Sequence, residues 1–121
     1  MENVLNIVKA VSDGNRLRVV MILTQHQELC VCNITEMLKL ATPTVSRHIS
    51  ILQKAGLVKS RKDSRWIYYR LSDSFPSALL AWLRDMLNET EEIKKDGEKV
   101  KSILCEETKN LCSSKKLKSE K

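Results

Sequence analysis

The stretch from Thr42-Pro43 to Gly56-Leu57 constrains this chain most, because both of its ends are chemically marked. Thr42 is a good N-cap, and Pro43 suits the first helical position, where its missing N–H costs nothing. Gly56 can close the helix in the left-handed conformation, and Leu57 can pack back onto it. Between these marks Val45, Ile49 and Leu52 fall at i, i+4 and i+7, which makes one apolar face. The segment reads as a short helix with fixed ends and a fixed buried side.

The flanking segments give that helix a context. Upstream, Asn33-Ile34-Thr35-Glu36 reads as a capping box that opens a brief helix with Ile34, Met37 and Leu38 inward. Downstream, Leu57–Ser60 and Trp66–Leu71 read as two strands, joined by the polar turn Lys62-Asp63-Ser64-Arg65. Before this unit, Val4, Leu5, Val8 and Val11 predict a short N-terminal helix. Ser12-Asp13-Gly14-Asn15 then breaks the chain, and Ser12 or Asp13 can cap a second helix with Leu17, Val20 and Met21 inward. That helix fades near Gln25-His26-Gln27, and Glu28 to Cys32 is a short extended lead-in. After the hairpin, Leu79, Leu80, Leu83, Met86 and Leu87 mark a longer helix, opened at Ser74-Phe75-Pro76. Asp96-Gly97 is expected to break or hinge the chain. Beyond it Val100, Ile103, Leu104 and Leu111 continue a helical stripe, and from Ser113 the polar end is expected to be disordered. The expected division is a core domain over residues 1–95 and a C-terminal extension over 96–121.

The fold class that follows is mostly α with a small β-hairpin, a winged helix-turn-helix. In such a unit the second helix enters the DNA major groove with its N-terminal residues at base edges. Thr44, Ser46, Arg47 and His48 occupy that part of the helix, away from the Val45/Ile49/Leu52 face, and Thr42 stands at its threshold. Arg pairs bidentately with guanine, and Ser or Thr bonds bases or phosphates. Arg61, Lys62 and Arg65 at the hairpin are placed to hold backbone phosphates or enter the minor groove. The net charge of +6 agrees, and its distribution agrees better: Lys59 to Arg70 carries five cations against Asp63 alone. The order of elements separates this from a helical domain with a merely solvated basic hairpin. The longest uncharged apolar run, Val19 to Leu23, is too short to cross a bilayer, and Met1-Glu2-Asn3 does not open a signal peptide. A cytoplasmic protein is expected, with no membrane partner.

Several stretches resemble the ArsR/SmtB family of metal-responsive bacterial repressors. Thr44-Val45-Ser46-Arg47-His48-Ile49 is similar to its Ser-x-His-Leu recognition helix, and Ala55-Gly56-Leu57-Val58 to its exit. Trp66-Ile67-Tyr68-Tyr69-Arg70-Leu71 is similar to its returning wing strand, and Ser12-Asp13-Gly14-Asn15-Arg16-Leu17-Arg18 to the entry of its second helix. The wing tip departs, with Asp63-Ser64-Arg65 where the family usually has Gly before Arg. The resemblance implies a homodimer built through terminal helices, with Leu79, Trp82, Leu83 and Met86 of the helix over residues 78–90 at the interface. The alternative for that stripe is intramolecular core. A symmetric dimer would present two recognition helices to double-stranded operator DNA.

The four cysteines come as Cys30 with Cys32 and Cys105 with Cys112. In a reducing compartment free thiols or soft-metal ligands are the expected states. Leu29-Cys30-Val31-Cys32-Asn33-Ile34, extended by Glu28, is close to the family's thiolate motif Glu-Leu-Cys-Val-Cys-Asp-Leu. In an extended lead-in residues i and i+2 point the same way, so one ion could reach both sulfurs. The following helix N-terminus is expected to lower their pKa. Asn33 stands where the family has Asp, and Thr35 where some arsenic-sensing members carry a further Cys. Arsenite binds best with three sulfurs, so a third must come from Cys105 or Cys112, within one subunit or across a dimer. With only His26 and His48 in the chain, the family's other zinc site is absent. The expected function is a repressor that leaves its operator on binding arsenite or antimonite. Another thiophilic ion (Cd, Pb, Zn), thiol oxidation and a constitutive regulator stand as alternatives. A thiol enzyme is not expected, since its nucleophile needs an oxyanion-binding loop and no glycine-rich loop is present among three glycines.

Overall fold

A computed structural model describes the chain through residue 118, with side chains described through residue 107. The Cys112 side chain and residues 119–121 therefore lie outside the described residues, while the polar end expected to be disordered from Ser113 continues as helix through Lys118. The order is α1 (Glu2–Ala10), α2 (Gly14–Gln25), β1 (Leu29–Cys30), α3 (Val31–Leu38), α4 (Thr42–Lys54), β2 (Val58–Asp63), β3 (Trp66–Leu71), α5 (Ser77–Leu87) and α6 (Glu91–Lys118). The strands form one antiparallel sheet in the order β1-β3-β2, so the lead-in before α3 is the third strand of the wing.

The helix-turn-helix is bound by its apolar face. Val45, Ile49 and Leu52 of α4 are fully buried against Ile34 and Met37 of α3 and Val19 to Ile22 of α2, in one continuous core. The exit from α4 follows from glycine chemistry. Gly56 has φ 79, Leu57 N–H donates to Leu52 O at 3.0 Å, and Gly56 N–H donates to Gln53 O at 2.9 Å. This paired motif satisfies carbonyls that the helix end would otherwise orphan, and it buries Leu57 completely.

Three expected boundaries move. Thr42 is the first helical residue of α4, not its cap. Ala41 is the N-cap and offers no side-chain hydrogen bond, and Pro43 follows inside the first turn. Asn33 is not the cap of α3 either. The helix begins at Val31 with Cys30 as N-cap, because Cys30 is the last residue held extended by pairing with Tyr68. A capping box is present, but Cys30 takes the Ser/Thr role and Asn33 the Glu/Gln role.

The third is the expected break at Asp96-Gly97, which lies inside α6. Arg18 of α2 grips the buried Asp96 carboxylate with two hydrogen bonds, Nε to Oδ2 at 2.8 Å and Nη2 to Oδ1 at 2.9 Å. Ile93 and Val100 are buried on either side. Tertiary packing outweighs the roughly 1 kcal/mol that glycine costs in a helix.

The interface stripe on α5 divides. Leu83 belongs to the core and Leu79 is half-buried, while Trp82 is 58% and Met86 57% exposed. On α1, Val4, Leu5 and Val8 are exposed as well. No helix among the described residues is long and apolar enough to cross a membrane.

Candidate DNA-reading face and thiol site

The outward face of α4 begins with Thr42, Ser46 and Arg47, all exposed, with Thr44 half-buried beside them. His48 is turned toward the α1–α2 junction. Its Nδ1 lies 3.2 Å from Arg16 Nη1 and 3.9 Å from Asp13 Oδ2. A guanidinium only donates, so Nδ1 accepts and the ring proton sits on Nε2. Arg16 is itself fixed, with Nε donating to Ala10 O at 2.7 Å and the backbone N–H to Asp13 Oδ2 at 3.1 Å. The middle of the reader helix is thereby tied to α2 from behind, while its outward face stays open. Ser50, one turn beyond Ser46 on the same side, is half-buried and extends this face. The i+4 spacing was the signal for it.

The wing cations differ from one another. Lys62 and Arg65 are exposed and have no ion-pair partner among the described residues. Arg61 is engaged three times. It donates to Glu28 (Nε to Oε2, 2.5 Å; Nη2 to Oε1, 2.9 Å), lies 3.7 Å from Asp63 Oδ2, and stacks over Tyr68 with Cζ 4.7 Å from the ring centroid. The hydrogen bond from Arg61 holds the Glu28 carboxyl below its ordinary pKa. At the tip, Ser64 has φ 64, a left-handed conformation at the turn where the sequence lacks the usual glycine.

Cys30 and Cys32 converge. Their sulfurs lie 2.7 Å apart as free thiols, although Cys32 is already inside the helix. An N-cap side chain folds back over the first turn, so Cys30 Sγ accepts from Cys32 N–H at 3.4 Å and reaches the second helical side chain. Asn33 completes the arrangement. Buried, it accepts from Cys30 N–H at 3.2 Å and donates from Nδ2 to Glu107 Oε2 of α6 at 2.7 Å.

This setting reverses the expected pKa of Cys32. The residue is exposed overall, but its sulfur is turned onto Cys30. Partial burial, the shared hydrogen bond with Cys30, and the charges of Cys30 and Glu107 push the thiol up to about 12. They outweigh the lowering by the backbone at the helix start.

The second cysteine pair does not join the first within the described residues. Cys105 is exposed on α6, two residues from both the buried Ile103 and Glu107, and therefore on the opposite face of that helix. No group of three His, Cys, Asp or Glu among the described residues could hold a metal ion. Glu28, Tyr68, Asn33 and Glu107 escaped sequence reasoning as site residues. Each has a partner distant in the chain, and only two carried a signal: Glu28 as the residue that extends the cysteine motif, and Asn33 as the residue that replaces its Asp.

Comparison with known proteins accords with this arrangement. The family described as bacterial regulatory protein, arsR family, matches residues 13–60, from the cap of α2 into the wing. The arsenical resistance operon repressor of Escherichia coli (strain K12) is 33% identical over 117 residues, covering 90% of this chain and 95% of that one. The chain belongs to the ArsR family. It is therefore a transcription regulator with a DNA-binding winged helix-turn-helix, and not an enzyme. Another family relative, the cadmium resistance transcriptional regulatory protein CadC homolog of Staphylococcus aureus, is 33% identical over 78 residues, 64% of each chain. Among solved structures, the homodimeric winged helix-turn-helix domain Mb0332 of Mycobacterium bovis superposes with a TM-score of 0.64 at 27% identity. It covers 73% of this chain and 81% of that one.

Proposed function

We propose that this ArsR-family repressor works in the cytoplasm as a homodimer on operator DNA and lets go when arsenite, or antimonite, is captured by Cys30 and Cys32. The observation that carries this reading is the pair of free sulfurs 2.7 Å apart on the first turn of α3, the helix that leads into the reader. Thr42, Thr44, Ser46 and Arg47 face the bases and nearby phosphates, with His48 Nε2–H as a further donor. Lys62 and Arg65 hold the backbone beside them. The exposed apolar residues of α1 and α5, Val4, Val8, Trp82 and Met86, supply a self-complementary contact between protomers. The homodimeric relative supports that assembly.

The protonated state of Cys32 favours arsenite among thiophilic inducers. Arsenous acid condenses with thiols: each new As–S bond releases one water, formed from a hydroxyl on arsenic and the thiol proton. No net charge or proton is exchanged. A divalent ion must instead expel thiol protons into solvent, which is costly at a raised pKa. A third sulfur comes from Cys105 or Cys112. The outward direction of Cys105 requires the partner subunit or a rearranged α6 to bring it in. The closeness of Cys30 and Cys32 also supports a second reading, thiol oxidation.

Arsenic X-ray absorption on the full chain tests the assignment. The expected result is three sulfurs per arsenic, falling to two in Cys105→Ser or Cys112→Ser, whichever supplies the third. Arsenic surrounded by oxygen alone in the wild type refutes arsenite capture.

A further inference from the structure

Cys30 has two structural duties at once. It is the N-cap of α3 and also the last residue of β1, the edge strand of the wing sheet. Cys30 pairs with Tyr68 across β1–β3, and Tyr68 pairs with Arg61 across β3–β2. Directly paired residues in antiparallel strands share a face of the sheet, so Cys30, Tyr68 and Arg61 form one row across it. Arg61 lies over the Tyr68 ring, and its guanidinium reaches past β3 to the Glu28 carboxylate, just before β1. The outer strand of the wing is therefore fastened by a side chain to the strand that carries the sensor thiol.

We propose that Arg61 is a positioning residue, not a DNA contact: the Glu28–Arg61–Tyr68 latch transmits a change at Cys30 to the wing. This rests on the reading that Cys30 and Cys32 capture the inducer. Ligation draws Cys30 Sγ away from Cys32 N–H and releases the cap of α3. The end of β1 must then shift, and Glu28, two residues back, carries Arg61 and the outer wing strand with it. Lys62 and Arg65, one and four residues beyond Arg61, move with that strand relative to α4. Without the latch the backbone pairing of β1 spans only two residues, Leu29 and Cys30, a weak grip on the wing.

The chain has two tryptophans, Trp66 at the start of β3 and Trp82 on α5, so 5-fluorotryptophan labelling gives one wing probe and one reference. Arsenite is titrated into the full-length labelled protein while arsenic–sulfur absorbance is followed in the ultraviolet. In the wild type the Trp66 fluorine resonance is expected to shift as the absorbance saturates. In Arg61→Gln and Glu28→Gln the absorbance is expected to persist and the Trp66 shift to be lost. Both changes lie at a surface ion pair, Arg61 exposed and Glu28 half-buried, whose loss leaves the fold intact. A wild-type Trp66 resonance that stays still at saturating absorbance overturns the latch, as does a shift that survives in both variants. No arsenic–sulfur absorbance in the wild type overturns the inducer reading itself, and the latch falls with it.

Discussion

The two helices of the DNA-reading unit begin in opposite ways. The start of α3 is closed on itself: Cys30 caps Cys32, Asn33 returns the bond to Cys30 N–H, and Asn33 also holds Glu107 of α6. The start of α4 is open, with Ala41 giving no side-chain cap and Thr42, Ser46 and Arg47 exposed. An uncapped helix N-terminus leaves its N–H groups and positive dipole end for an outside anion, here a DNA phosphate. A capped one serves the protein interior. In α3 that internal cap is built from a thiol, which soft inorganic ligands can take away. One unit thus holds a start made to receive DNA and a start made to be undone.

The largest test of this contrast is stability. Asn33→Ala leaves the buried Cys30 N–H without its Asn33 acceptor and removes the hydrogen bond by which α3 holds Glu107 of α6. Urea denaturation should show a loss of about 3 kcal/mol, against less than about 0.5 kcal/mol for the exposed Thr42→Ala. Equal losses would erase the distinction between the two ends. Next in size is Arg47→Ala at the open end. It should weaken binding to a duplex selected by the protein from a random pool by about 2 kcal/mol, roughly thirtyfold, with no change in folding. Fluorescence anisotropy reads this, and unchanged affinity would remove Arg47 from the reader.

The third test uses pH. A raised thiol pKa keeps Cys32 protonated through neutral pH, so the proton that cadmium must expel costs a factor of about ten in affinity for each unit of pH lost. Cadmium affinity should rise from pH 6 to pH 8, while arsenite affinity, which needs no proton release, should stay flat. Two parallel slopes would contradict a protonated Cys32. The smallest effect lies away from both ends. Gly97→Ala on α6 should add up to about 1 kcal/mol, because only the movable end of Gln25 stands in the way of a Cβ, 2.8 Å from Oε1. A large loss on thermal melting would restore a hinge there.

Local chemistry made α4 legible in advance. Proline, glycine and a three-residue apolar face mark it without help from the rest of the chain, and the wing strands follow from Trp66-Ile67-Tyr68-Tyr69. What stayed hidden was non-local. Pairing of Leu29 with Tyr69 and of Cys30 with Tyr68 extends the lead-in to Cys30 and starts α3 two residues before the apparent capping box. Packing and the Arg18–Asp96 pair carry α6 through Gly97, against its local propensity. At the site, the spacing of Cys30 and Cys32 foretold converging sulfurs, though through an N-cap geometry and not an extended one. The raised Cys32 pKa could not be read from spacing, because its largest cause is burial in the fold, to which Cys30 adds and then Glu107, 75 positions away in sequence.

The central claim is that undoing the closed start of α3 empties the open start of α4. Anisotropy of the selected duplex bound to the full-length protein, titrated with arsenite, tests it most directly. The wild type should release the duplex as arsenic–sulfur absorbance saturates, and Cys30→Ser and Cys32→Ser should keep it bound. A wild-type complex that stays intact with both thiols ligated would contradict the claim.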